Sequence, residues 1–69
     1  MRDPKRIDVF CSRLAACWQK VPDWRFGQLI SNVLSEYQAE KRRDIFFPED
    51  EEIIEFFESY FKNGGNSPY

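Results

Sequence analysis

The sequence predicts an all-α fold, a small three-helix bundle with an extended aromatic connector, Asp44–Pro48, before the last helix. Apolar residues recur every three or four positions in three separate segments, which is the period of an amphipathic helix. Each segment is bounded by the residues that start and stop helices: Asp3-Pro4, Pro22-Asp23, Pro48-Glu49-Asp50 and Asn63-Gly64-Gly65. The chain has 69 residues, enough for one domain near the lower limit for folding without staples. Seven Phe, three Tyr and two Trp compensate by supplying much apolar surface per residue.

The first helix is expected to start with Asp3 as N-cap and Pro4 at the first helical position, where its missing N–H costs nothing. Ile7, Phe10, Cys11, Leu14, Cys17 and Trp18 then form a stripe about 120° wide. Both cysteines fall on it and read as small core residues. The helix should end near Lys20, because Pro22 disfavours helical geometry at Val21.

The second helix is the segment around which the chain is organised. Asp23 is expected to cap it. Phe26, Leu29, Ile30, Val33, Leu34 and Tyr37 fill a stripe about 140° wide that needs partners on both sides. Gly27 lies at the edge of that stripe, where close approach of a neighbouring backbone would account for it. Trp24, Gln28, Ser31, Asn32 and Ser35 project on the opposite face. Most of that face is polar and uncharged, with a Trp at its head, whereas a solvated face would carry Lys and Glu. Trp24 either folds back over the Val21–Pro22 corner or meets a partner.

Lys41, Arg42 and Arg43 form a basic helix end, suited to the negative pole of the helix dipole. Ile45, Phe46 and Phe47 are then expected to run extended and plug the core, since Pro48 forbids helix at Phe47. The third helix should span about Asp50 to Phe61, with Glu49, Asp50, Glu51 and Glu52 at its positive end. Dipole complementation explains these acids better than metal binding, for no calcium-loop spacing is present. Ile54, Phe57 and Phe61 suit the inner side. Phe56 and Tyr60 sit at the far edge, where the connector or a second subunit could cover them. Residues 1–63 read as one helical domain and 64–69 as a flexible tail.

Charge divides the chain. Residues 1–43 carry nine Lys/Arg against five Asp/Glu, and residues 44–69 carry one against seven. Two complementary faces are expected, meeting within the fold or across a homodimer. Cys11 and Cys17 lie roughly 9 Å apart along one helix, too far to bridge each other. There is no His, hence no zinc pattern. The start, MRDPKR, lacks the apolar core of a secretory leader, and no run is long enough to span a membrane. Free thiols then fit a cytoplasmic protein.

MRDPKRI at the start, PDWRFGQLISN in the middle and FFPEDEEIIEFF near the end resemble a family of small uncharacterised bacterial and phage-associated proteins. Members share the opening, a middle element close to PDxRxGQLI, and an acidic ED start to the last helix. The resemblance covers roughly residues 1–61. That family has no assigned activity, so the resemblance implies no functional residue.

An enzyme is not expected. No nucleophile stands beside a base at helical spacing, and there is no Gly-rich phosphate loop or cofactor signature. The expected function is a non-enzymatic protein-interaction or regulatory module, possible as a homodimer, using Trp24, Arg25, Gln28, Ser31, Asn32, Phe56 and Tyr60. The alternative is a helix-turn-helix-like nucleic-acid binder. Arg25, Gln28 and Asn32 are side-chain types that read guanine and adenine edges, but the net charge of −2 opposes a basic footprint.

Overall fold

A computed structural model describes residues 2–62. It contains three helices, α1 (Lys5–Trp18), α2 (Phe26–Lys41) and α3 (Asp50–Lys62), and no strand among the described residues. This is the small three-helix fold that the apolar periodicity predicts. The expected helix stop at Asn63–Gly65 and the tail at 64–69 lie outside the described residues.

Asp3 opens α1 as expected. Its Oδ1 accepts from the Lys5 backbone N–H at 2.9 Å. Pro4 already has helical dihedrals, φ −63° and ψ −16°. The helix ends at Trp18, two residues before the expected Lys20. From there the Val21 N–H donates to the Trp18 carbonyl at 2.9 Å and the Trp24 N–H to the Val21 carbonyl at 3.0 Å. The second of these closes a β-turn with Pro22 at the position that favours it.

That turn displaces the start of α2. Asp23 lies inside it and is not the N-cap; Arg25 is, with extended dihedrals (φ −75°, ψ 158°). Gln28 Oε1 accepts from the Arg25 N–H at 2.8 Å. This is the glutamine half of a capping box; Arg25 has no acceptor with which to return the other half. Gly27 is exposed, and a Cβ there would meet nothing within 4 Å. The expected backbone approach is therefore absent. At its other end α2 closes on Arg42, which is left-handed (φ 54°, ψ 42°) and donates from its N–H to the Gln38 carbonyl at 2.9 Å.

The core is shared unequally. Leu29, Val33 and Tyr37 from α2 and Ile54, Phe57 and Phe61 from α3 are buried, each set recurring every three or four residues on one face. From α1 only Cys17 is buried, ringed by half-buried Phe10, Leu14 and Trp18. Burying a side chain of this size contributes roughly 1.5–3 kcal/mol, so α2 and α3 carry most of the apolar stabilisation.

Cys11 is exposed, not a core residue, and Ile7 and Phe26 are also half or more exposed. The apolar stripes of α1 and α2 thus run past the area their neighbours cover. Phe26 keeps a tilted ring pair with Trp18 at 5.7 Å.

Charge does the rest of the docking of α1. Arg2 reaches Glu49 at 2.7 Å, Arg6 pairs with Asp50, and Arg13 meets both Glu51 and Glu58. Arg43, just past α2, lies 3.5 Å from Glu52. Each of the four consecutive acids 49–52 therefore faces a different arginine from outside its own helix. The two charge halves of the sequence meet within the fold. Dipole complementation describes only part of what these acids do.

Candidate interaction sites

The sequence-predicted residues do not converge on one surface. Trp24 precedes α2 and is half-buried against the core, its ring 6.1 Å from that of Phe61. Its carbonyl accepts from the Trp18 indole N–H at 2.9 Å. Trp24 therefore closes the corner between α1 and α2 and does not head an exposed polar face. Arg25, Gln28 and Ser31 are exposed, whereas Asn32 is half-buried. Gln28 is committed to the cap of α2. The loop from α1 to α2 covers residues 19–25, longer than the roughly three- or four-residue turn of a helix-turn-helix.

Phe56 and Tyr60 are half-buried on α3 and packed within the subunit. Phe56 meets Tyr37 edge-on at 5.2 Å, and Tyr60 meets Phe61 at 5.0 Å. Both also line a cleft of about 470 Å³ between α2 and α3, together with Glu36, Glu40, Glu52 and Glu55. Beneath it, the Tyr37 hydroxyl donates to Glu52 Oε2 at 2.7 Å. Burial, reinforced by that carboxylate, pushes the Tyr37 hydroxyl above its ordinary pKa. It remains a neutral donor at physiological pH and fixes Glu52 in place.

The most exposed apolar feature lies where a plug was expected. Asp44 Oδ1 accepts from the Phe46 N–H at 3.0 Å and the Asp44 carbonyl from the Phe47 N–H at 3.3 Å. The connector is therefore a turn closed by its own aspartate, not an extended run. Turning there sends the aromatics outward: Phe46 is 82% exposed and Phe47 66%, stacked edge-on at 5.2 Å, with Ile45 38% exposed beside them. The Asp44-to-Phe46 spacing was the available signal, since Asp commonly bonds the backbone two residues on.

Two further groups define the chemistry of the molecule. Arg13 donates from Nε and Nη2 to both oxygens of Glu58, each at 2.8 Å, a bidentate fork. That fork holds the Glu58 carboxyl below the usual carboxylate range and raises the guanidinium further. Burial pushes the Cys17 thiol up, which keeps it protonated and poorly nucleophilic. Among the described residues no group of three or more potential metal ligands converges, and no helix is long and apolar enough to cross a membrane. No family model, curated protein or solved structure matches the chain.

Proposed function

We propose that this protein is a small, non-enzymatic interaction module of the cytoplasm that docks on a partner protein through the aromatic turn Ile45–Phe47. The observation that carries this reading is the exposure of Phe46 and Phe47 in a turn ordered by Asp44. Leaving two Phe side chains in water forgoes roughly 3–4 kcal/mol of burial, a large share of the stability available to so small a domain. Contiguous exposed apolar residues of this kind are typical of docking sites, with aromatic anchors at their centre. Because the turn is already closed, little conformational entropy is lost when it is covered.

The test compares the parent protein with a Phe46→Ser/Phe47→Ser variant in pull-downs from native cell extract treated with nuclease. The variant is expected to keep its helical circular dichroism and to lose the captured protein. Capture unchanged by the substitutions would refute the turn as the docking element. Capture that disappears with nuclease would favour the Arg25–Ser31 face and nucleic acid. Mass measured against concentration separates a second copy of the chain from a different protein.

A further inference from the structure

Exposed apolar surface is not confined to the turn. Near the start of α1, Ile7 is 50% exposed. It lines a hollow of about 110 Å³ together with Phe10, Arg6 and Asp50. The two charged residues there pair with each other. The hollow therefore suits an apolar occupant and would penalise an unpaired charge. A closed cavity of about 150 Å³ holds a benzene molecule, so an open hollow somewhat smaller than that admits the edge of a phenyl ring.

The molecule carries such a ring at the same end. Asp50 lines the hollow and stands three residues after Phe47. The Arg2–Glu49 and Arg6–Asp50 pairs hold the N-terminal end of α1 against the start of α3. Turn and hollow are therefore neighbours. Within one copy they do not satisfy each other, since Phe46 stays 82% exposed. Two copies related by a two-fold axis can place each turn opposite the other's hollow, because an isologous contact pairs residue i with j and j with i.

The area is sufficient. At about 200 Å² for a whole aromatic residue, Phe46 and Phe47 leave roughly 300 Å² in water. Each turn would cover a comparable area opposite, and symmetry repeats the contact. The pair of copies then buries roughly 1,200 Å², the lower edge of specific interfaces. A chain this short also gains from self-association the apolar burial that its small core lacks.

We infer that the occupant of the aromatic turn is a second copy of the chain, with Phe46 of each copy entering the Ile7–Phe10 hollow of the other and Phe47 packed on its rim; this rests on the turn being the docking element.

Sedimentation equilibrium of the full chain from about 1 µM to about 1 mM spans the affinities such an interface supports. The mass is expected to rise from 8.3 kDa toward twice that value. Phe46→Ser/Phe47→Ser and Ile7→Glu should each stay monomeric across the range with unchanged helical circular dichroism, since all three positions are exposed. Ile7→Glu puts an unpaired charge where the ring would sit. The two variants should complement each other, because the first keeps its hollow and the second keeps its turn. Isotope-labelled Ile7→Glu protein should therefore show amide shifts at residues 45–47 when unlabelled Phe46→Ser/Phe47→Ser protein is added. It should show none when unlabelled Ile7→Glu protein is added. A parent that stays monomeric, a dimer that survives either substitution, or a mixture without shifts would each overturn the inference. A monomeric parent that still captures another protein through the turn would leave the docking reading intact, so the two can fail separately.

Discussion

Two backbone positions show how much a single residue decides here. Arg42 is the one non-glycine among the described residues with positive φ, at 54°. Its Cβ crowds the following carbonyl in that conformation, a strain glycine lacks. Arg42→Gly should therefore raise stability by about 0.5–1 kcal/mol, measured by urea unfolding at constant m-value. Gly27 is the converse, a glycine in the first turn of α2 with open space where a side chain would go. Gly27→Ala should stabilise by up to about 1 kcal/mol, and an unchanged melting midpoint would show that α2 frays there. The sequence suggested a packing reason for this glycine, because composition cannot reveal that the space beside it is open. Asp23 was misleading for a related reason. A Pro-Asp pair serves equally as a helix entry or as the middle of a β-turn, and only the bond from the Trp24 N–H to the Val21 carbonyl distinguishes the two.

For whole helices, periodicity was a good guide to the inner faces and a poor one to how far they extend. Leu29, Val33 and Tyr37, like Ile54, Phe57 and Phe61, lie where a 3.6-residue repeat puts them. Ile7, Cys11 and Phe26 belong to the same stripes yet stand outside the covered area. Truncation shows the weight of the covered part. Leu29→Ala should cost about 2–4 kcal/mol, enough to leave much of the chain unfolded by circular dichroism at room temperature. The docking of α1 on α3 responds instead to pH. Arg13 holds Glu58 below the usual carboxylate range, chiefly by hydrogen bonding. A carboxylate depressed in the folded state contributes fully above its ordinary pKa and loses that contribution as pH falls through the lowered value. Glu58→Gln should therefore be less stable than the parent at neutral pH, and the gap should close in strong acid. A gap of constant size across that range would show that the fork contributes nothing specific to the carboxylate.

Across the molecule, the strongest inference from sequence was the division of charge, and the reason is geometric. Arginines at 2, 6 and 13 stand at least 38 residues from the acids they meet, so those pairs can form only if α1 lies against α3, while Arg43 meets Glu52 nine residues on. The outward aromatic turn was not legible on the same grounds. A run of Ile-Phe-Phe between charged flanks reads as core, and its direction is set by the two hydrogen bonds that Asp44 accepts. Function was less legible still, since the hollow near the start of α1 arises only when Ile7 and Phe10 are set beside Asp50. The exposure of Phe46 and Phe47 has one more consequence. Chymotrypsin cuts after such residues, and a nick after Phe46 would divide the chain into one piece with nine Lys/Arg against six Asp/Glu and another with one against six. The pieces would still be bound to each other by the arginine–carboxylate pairs and the apolar surface of α3, so limited digestion should yield two bands on a denaturing gel and a single species in solution. A two-chain, split form of this domain would then assemble by recognition of opposite charge.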